Sequence, residues 1–317
     1  EADAWTGYEN DVLSEAEKRK IPVLLIVNKS DIKTPSPGFL EQLRQKTGRV
    51  FAVSCRDGSA RDAALEALKR HLIEMAPDDF IETPSLVGDL LPPGGVAVLV
   101  VPIDLEAPKG RLILPQVQTI RDALDTDAAA LIVKEHGLAD ALSLLNRRPD
   151  IAICDSQAIL KVSTDVPKEV PCTTFSILFA RQKGDLSVAA AGAAVIETLR
   201  PGDKVLIAEA CSHHPLQDDI GRIKIPRWLR QYVGGELQVD VSSGRDYPEN
   251  LQQYRLIIHC GGCMLTRREM LSRLHKARVA GIPVTNYGLA ISFTQGVIRR
   301  VLSPFPSALD RKSTRLN

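Results

Sequence analysis

The chain has 317 residues, enough for two or three domains of about 100–150 residues each. Hydrophobic residues make up 44% and charged residues 25%, as in a globular protein, and the net charge of +1 gives no field that would attract nucleic acid or an anionic membrane surface. No apolar run approaches the roughly 18 residues that cross a bilayer, and no signal peptide is recognisable, so we expect a cytoplasmic protein with no nucleic-acid or membrane partner.

Short apolar strands alternate with helical patterns nearly throughout the sequence. The runs rich in Val and Ile predict strands that are covered on both faces, and the 3.6-residue periodicities between them predict helices. This alternation is typical of parallel sheets with right-handed crossovers. The predicted strands are 21–28, 50–54, 96–101, 129–134, 150–155, 204–210, 237–241, 255–260 and 282–286, and the predicted helices are 59–75, 115–126, 137–147, 185–199 and 266–280.

Two breaks divide this pattern. The segment 76–95 is rich in Pro and Gly and is typical of a linker, and a softer break lies near 180–187. We therefore expect an α/β protein built from three consecutive αβ units with mainly parallel sheets. The predicted units are 1–76, 77–180 and 181–306, followed by a polar tail at 307–317 that we expect to be disordered.

An Asn-Lys-Ser-Asp motif follows the first predicted strand. Such a motif is typical of guanine recognition, because the carboxylate of Asp31 can accept hydrogen bonds from a ring N–H and an exocyclic amine, a donor pair that adenine lacks. Lys29 would pack on the face of the base and Asn28 would brace the loop. After the second strand, the backbone N–H groups of Ser54 and Cys55 could reach the carbonyl oxygen of the base. The alternative is an ordinary polar turn between a strand and a helix.

A phosphate-binding loop of the form G-x-x-x-x-G-K-[ST] does not occur in the 317 residues. Such a loop cradles the β- and γ-phosphates and presents the hydroxyl group that binds magnesium. The first unit therefore has the features of the C-terminal half of a GTPase domain. We expect the chain as given neither to bind GTP tightly nor to hydrolyse it.

The third unit carries two cysteine motifs, each directly after an apolar strand. The first supplies Cys211 and His213, and the second supplies His259, Cys260 and Cys263. Ligands of open parallel sheets bind beyond the carboxyl ends of the strands, so these side chains can converge if the two strands are neighbours. The C-x-x-C spacing lets two thiolates bind one centre, and the two intervening glycines let the backbone fold close to a bulky cluster.

Several chemistries fit three thiolates and one or two histidines. A 4Fe–4S cluster would leave one iron open, whereas a Cys₃His zinc site would be closed, and a metal-free thiol site is the third alternative. The cluster is favoured because a unit of this size needs no zinc to stabilise it. Cys154 and Cys172 are expected in the core. The candidates for the fourth ligand are His213, His259, Glu209, Asp218 and Asp219.

The guanine half-site, the middle αβ unit and the two cysteine motifs, in this order, resemble the HydF family, the maturation GTPases of iron-only (FeFe) hydrogenase. The flanking stretches 107–125, 173–186 and 209–226 resemble the family as well, and the resemblance covers residues 1–306. It implies a partial P-loop GTPase domain, a dimerisation domain and a Rossmann-like domain that binds an iron–sulfur cluster.

The resemblance implies a scaffold protein. Cys211, Cys260 and Cys263 would hold the 4Fe–4S cluster, with His213 and His259 near the open iron. The protein, as a homodimer, would receive a diiron precursor from two radical-SAM maturases and pass it to the FeFe-hydrogenase apoprotein. GTP and magnesium belong to the intact family member. The alternatives are an iron–sulfur enzyme that uses the open iron as a Lewis acid, and a structural zinc-binding interaction protein.

Overall fold

The computed structural model describes residues 3–18, 21–56, 61–76, 84–102, 111–210, 219–244 and 247–309. The contacts divide the chain into two compact units, Glu1–Pro84 and Ser85–Asn317, which we call the first and second unit. Every sheet in the described part of the chain is parallel. The predicted α/β fold class is therefore confirmed.

The first unit contains a two-stranded parallel sheet in which Val27 is paired with Ala52. Its core is small, because only Val27 and Leu43 are fully buried among the described hydrophobic residues of this unit. The elements are the strands β1 (Leu25–Val27) and β2 (Val50–Ala52) and the helices α1 (Gly7–Lys18), α2 (Pro37–Thr47) and α3 (Arg61–Met75).

The second unit begins with a four-stranded sheet in the order β4-β3-β5-β6. The central strands β3 and β5 are apolar and almost entirely buried, as is typical of strands covered on both faces, whereas the edge strand β4 is partly exposed. The strands are β3 (Val96–Val100), β4 (Ala129–Val133), β5 (Ile151–Cys154) and β6 (Cys172–Thr174), and the helices are α4 (Leu114–Asp125), α5 (Leu138–Leu144), α6 (Ile159–Asp165) and α7 (Phe175–Lys183).

A second four-stranded sheet of this unit has the order β10-β9-β7-β8. Its strands are β7 (Lys204–Glu209), β8 (Gln238–Ser243), β9 (Leu256–His259) and β10 (Val284–Asn286). A π-helical turn, Ile220–Lys224, precedes α9. The helices are α8 (Leu186–Ala194), α9 (Ile225–Val233), α10 (Arg267–Val279), α11 (Tyr287–Thr294), α12 (Ile298–Val301) and α13 (Pro306–Leu309).

Two apolar cores lie on the two faces of this second sheet. The larger runs from Leu86 to Ala308 through both sheets of the unit and includes Val205 and Ile258. The smaller includes Leu206 and Ile257, the strand neighbours of those residues, on the opposite face. Side chains of successive strand residues alternate between faces, so this division tells which face each residue of β7 and β9 occupies.

All nine predicted strands are present, and β6 is an additional strand that was not predicted. The helix predicted at 185–199 ends at Ala194 and continues as a 3₁₀ turn, Val195–Thr198. Residues 307–309 of the predicted tail lie in α13, and the rest of that tail is outside the described residues. The predicted unit boundaries stay predictions. None of the described helices is both long and apolar enough to cross a bilayer.

Candidate functional site

The strands that precede the two cysteine motifs, β7 and β9, are direct neighbours in the sheet. Ala208 is paired with His259, and the N–H of Cys260 donates to the Ala208 carbonyl at 3.1 Å. Two residues after Ala208, the N–H of Ala210 donates to the Sγ of Cys260 at 3.2 Å. Cys211 follows Ala210 directly in the sequence. The residue that precedes the first motif and the start of the second motif therefore lie side by side at the carboxyl ends of β7 and β9.

Three members of the predicted ligand set lie outside the described residues, namely Cys211, His213 and Asp218. Among the residues that are described, no three His, Cys, Asp or Glu side chains lie close enough together to hold a metal ion. The described half of the site consists of Cys260 and Cys263, which are both half-buried.

Residues 260–263, which we call the cysteine turn, require a glycine at position 262. Gly262 has a φ of 59°, in the left-handed region, and a Cβ atom there would lie 2.5 Å from the Cε of Met270. The N–H of Leu265 closes the turn by donating to the Gly262 carbonyl at 3.0 Å. Helix α10 begins immediately afterwards, with Thr266 as its N-cap.

Lys183, the last residue of α7, is bound to the cysteine turn. Its Nζ donates to the carbonyl oxygens of Gly262, Cys263 and Leu265 at 2.9, 2.9 and 2.8 Å. Burial lowers the pKa of the Lys183 ammonium, while the nearby sulfurs of Cys263 and Cys260 act in the opposite direction. This contact was not predicted, because the short basic stretch around Lys183 has the pattern of a solvated turn.

His259 lies on the other face of the sheet. It follows Ile257 in alternation, and its Nε2 is hydrogen-bonded to the hydroxyl of Tyr247, which packs against the smaller core. Cys263, in contrast, packs against the larger core. Burial, reinforced by the charge of Arg273, lowers the pKa of His259 to about 3, so its imidazole is neutral. His259 is therefore a hydrogen-bond partner of Tyr247 on the face of the smaller core, and its role as a cluster ligand stays a prediction.

Two further ligand candidates are already engaged. Glu209, at the end of β7, accepts from the Arg222 guanidinium at 2.9 and 3.3 Å and from the hydroxyl of Ser243 at 2.8 Å. Asp219 caps the π-helical turn by accepting from the backbone N–H of Arg222 at 2.7 Å. Glu209 precedes residues 211–218 in the sequence and Arg222 follows them. Their ion pair therefore connects the chain before and after the segment that carries the first cysteine motif.

The first unit brings the predicted guanine-binding residues together. The hydroxyl of Ser54 donates to Asp31 Oδ1 at 2.6 Å. The Oδ1 of Asn28 accepts from the backbone N–H groups of Lys29 at 2.7 Å and Cys55 at 3.3 Å. The two loops at the ends of β1 and β2 are therefore joined by these hydrogen bonds. The two contacts of Asn28 agree with the bracing role expected of it, and the role of Asp31 in reading guanine stays a prediction.

Two protein-family models match the second unit. The Hydrogen maturase F dimerization domain matches residues 86–184, and the Hydrogen maturase F tetramerization domain matches residues 187–304. The chain belongs to the hydrogen maturase F family. Together the matched segments cover more than half of the 317 residues. A comparison with curated proteins gave no match.

Membership of the hydrogen maturase F family gives this chain a role in hydrogenase maturation, and its two matched domains are named for assembly into oligomers. Both cysteine motifs fall within the tetramerization-domain match, whereas Lys183 falls at the end of the dimerization-domain match. The contact between Lys183 and the cysteine turn therefore joins the two domains of the hydrogen maturase F chain.

The described residues of this hydrogen maturase F chain fit a thiolate-bound cluster. An N–H group directed at a sulfur and an ammonium group beside it both stabilise the negative charge of iron-bound thiolates. The other cysteines of the second unit are unsuited, as predicted. Burial raises the pKa of Cys172 to about 11, and burial, with the nearby Cys172 and Asp155, raises the pKa of Cys154 well above 9.0.

Proposed function

We propose that this hydrogen maturase F protein carries a 4Fe–4S cluster on Cys211, Cys260 and Cys263. The observation that supports this most directly is the hydrogen bond of 3.2 Å from the N–H of Ala210 to the sulfur of Cys260. It ties the residue preceding the first motif to a ligand of the second. The C-x-x-C turn then supplies two thiolates, and the first motif supplies the third.

In this proposal the fourth coordination position is exchangeable. His259, Glu209 and Asp219 are each engaged by other groups of the protein, so none of them is poised to occupy it. His213 is the remaining histidine of the motifs. A cluster bound in this way would offer one iron for attachment of a cargo. The role of the protein chain is to hold the three thiolates and to stabilise their charge through Ala210 and Lys183.

The cargo in this proposal is a diiron precursor. The protein would receive it from two radical-SAM maturases and deliver it to the FeFe-hydrogenase apoprotein in the cytoplasm. A histidine or water ligand leaves iron more readily than a thiolate, so a site with three thiolates can hold a cargo without trapping it. The proposed function is therefore that of a carrier, and the reaction steps belong to its partners.

Anaerobic reconstitution with iron and sulfide tests the proposal. We expect the wild-type protein to take up both and to develop the visible absorbance of thiolate-bound iron, and we expect Cys260→Ser and Cys211→Ser to lose it. Cys55→Ser is the matched control, since Cys55 is exposed and only its backbone N–H contacts Asn28. The loaded protein, given the diiron precursor, should then activate the FeFe-hydrogenase apoprotein.

The alternatives give different results in the same experiment. Tight binding of zinc without uptake of iron and sulfide would favour the structural zinc site. A loaded protein that fails to activate the hydrogenase apoprotein would favour an iron–sulfur enzyme. Uptake of iron and sulfide that is unchanged in Cys260→Ser would exclude the proposed ligand set.

A second proposed function is recognition of guanine by the first unit. It rests on the hydrogen bond of 2.6 Å that fixes the Asp31 carboxylate against Ser54. We expect weak binding, because no phosphate-binding loop occurs in these residues, with GTP perturbing the NMR signals of the 28–31 loop and ATP leaving them unchanged. The Asp31→Ala variant should lose this preference. Equal responses to the two nucleotides would contradict it.

A further inference from the structure

The geometry of Lys183 requires its charged form. Its Nζ is within hydrogen-bond distance of three carbonyl oxygens, those of Gly262, Cys263 and Leu265. An ammonium has three N–H donors, one for each of these acceptors, whereas a neutral amine has two and would direct its lone pair at the third oxygen. Hydrogen bonds from a charged donor are also about twice as strong as neutral ones. The three contacts are therefore made by a cation held beside the cysteine turn.

Helix α7, which carries Lys183, is itself fixed by hydrogen bonds at both of its ends. At its N-terminal end, the Asn286 side chain donates to the carbonyl and hydroxyl oxygens of Ser176 at 2.8 and 3.0 Å. At its C-terminal end, the carbonyl of Gln182 accepts a hydrogen bond from the Arg267 guanidinium. The Lys183 ammonium also lies 5.0 Å from the centre of the Phe179 ring, one turn back on the same helix.

We propose that Lys183 is a positioning residue of the cluster site, which fixes the cysteine turn through three carbonyls and provides the positive charge beside its sulfurs. The inference rests on the proposed function, since it assigns Lys183 to the cluster of that site. It also makes the dimerization-domain segment a contributor to a site whose cysteines all lie in the tetramerization-domain segment.

The charge of Lys183 has a consequence for the electron affinity of the site. A cluster on three thiolates is anionic, and reduction adds one more negative charge. A fixed cation stabilises the reduced form more than the oxidised form, so Lys183 raises the reduction potential. The Glu269 carboxylate also acts on Lys183, and its Oε2 accepts from the Thr266 N–H and hydroxyl at 2.9 and 3.0 Å.

Two variants separate the two effects of Lys183. Lys183→Met keeps most of the side-chain volume and removes both the charge and the donors, whereas Lys183→Arg keeps a charge and several donors. Lys161→Met is the matched control, because Lys161 is on α6 in the same domain and forms only an exposed pair with Asp165. Each is compared with the wild-type full chain.

Hydrogen exchange of the metal-free protein tests the positioning effect. We expect amide exchange over residues 261–266 to rise about tenfold in Lys183→Met, because loss of the three charged contacts lets the turn open locally. Exchange in Lys161→Met should match that of the wild type. Unchanged exchange in Lys183→Met would overturn the proposal. This measurement needs no cluster, so it decides the role of Lys183 in the turn even if the proposed function fails.

The reduction potential of the reconstituted cluster tests the charge effect. We expect a lower potential in Lys183→Met than in the wild type, and a potential near the wild-type value in Lys183→Arg and Lys161→Met. A purely structural role would not produce rescue by arginine. Equal potentials in Lys183→Met and the wild type, or equal potentials in Lys183→Met and Lys183→Arg, would overturn the proposal while leaving the cluster itself in place.

Discussion

An ion pair with one buried partner, Glu209, and one half-buried partner, Arg222, connects residues on the two sides of the segment that carries the first cysteine motif. Glu209 is only 1% exposed, and its carboxylate is bound by Arg222 and by the hydroxyl of Ser243. A buried carboxylate is tolerated only when such partners replace its hydration. Removing the charge of Glu209 should therefore leave the Arg222 guanidinium poorly compensated.

We predict that Glu209→Gln lowers the free energy of unfolding by about 1–3 kcal/mol, less than the loss of a fully buried pair because the Arg222 side chain is 34% exposed. Urea unfolding at neutral pH measures it. Glu236→Gln is the control, because Glu236 is 89% exposed in its pair with Arg230 and should change stability by less than about 0.5 kcal/mol. Equal effects of the two variants would contradict this account.

His259 provides a pH dependence of stability. Its pKa falls from 6.5 to about 3 in the folded protein, mainly through burial. Folding therefore favours the neutral imidazole, and its stabilisation is complete above about pH 6.5 and is lost as the pH falls toward about 3. Burial has the corresponding effect on Tyr247, the hydrogen-bond partner of His259, and raises the pKa of its hydroxyl to about 12.

We predict that the metal-free protein loses about 2 kcal/mol more stability between about pH 7 and about pH 5 than His259→Gln does, since glutamine does not titrate. The free energies of unfolding of both proteins, measured by urea at the two pH values, give the difference. Parallel losses in the two proteins would show that His259 is protonated without penalty in the folded state.

At the residue scale, the sequence predicted the cysteine turn but not its surroundings. Two cysteines in C-x-x-C spacing after an apolar strand are a local pattern that directly indicates chemistry. Lys183, Tyr247 and Arg273 contribute through contacts with residues distant in the sequence, and a single charged or aromatic residue carries no local mark of such a role. His259 was grouped with the cysteines because it adjoins Cys260 in the sequence, and the alternation of faces along a strand, which places it with Ile257, shows only in the structure.

At the scale of elements, strands that lie within apolar runs were predictable, including the three-residue strands β1 and β10, and β6 was not. β6 is Cys172–Thr174, directly after Pro171, and its two threonines leave no apolar run or alternation to recognise. Helix α7 escaped prediction because it is buried on most of its surface: Phe175, Ile177, Leu178 and Phe179 are all buried, which removes the polar side of the helical pattern.

The glycine pair of the cysteine turn gives an element-scale prediction. Gly262→Ala should lower the free energy of unfolding by about 1–2 kcal/mol, because a φ of 59° is strained for alanine, and the Cε at the end of the Met270 side chain would have to move away from the new Cβ. Gly261→Ala is the matched control, since a Cβ there meets nothing within 4 Å. Urea unfolding should give a clearly lower free energy of unfolding for Gly262→Ala than for Gly261→Ala. The reverse order would refute the assigned turn geometry.

At the scale of the whole molecule, β4 is an edge strand through which two copies of the chain could pair. The N–H of Ala129 donates inward to Gly95, so the backbone groups of Ala130 and Ile132 point away from β3. Ile132 is also 45% exposed. An exposed parallel edge of this kind suits a sheet that continues across a two-fold axis, as we expected for a homodimer.

We predict that light scattering at micromolar concentration gives a mass of at least two chains for the wild-type protein. Ile132→Pro should lower the mass, because it removes an outward N–H at the edge while the inward ladder of β4 remains. Circular dichroism would verify that the variant is folded. A wild-type protein with the mass of a single chain would rule out the pairing.

The central claim is that thiols from two distant parts of the sequence meet at the carboxyl ends of β7 and β9, the two central strands of the second sheet. Anomalous diffraction at the iron edge, on crystals of the anaerobically reconstituted protein, tests it directly. We predict one iron cluster bonded to the sulfurs of Cys211, Cys260 and Cys263, next to the ends of β7 and β9. Iron bound to other residues would contradict the account, and so would a Cys211 sulfur that lies far from the sulfurs of Cys260 and Cys263.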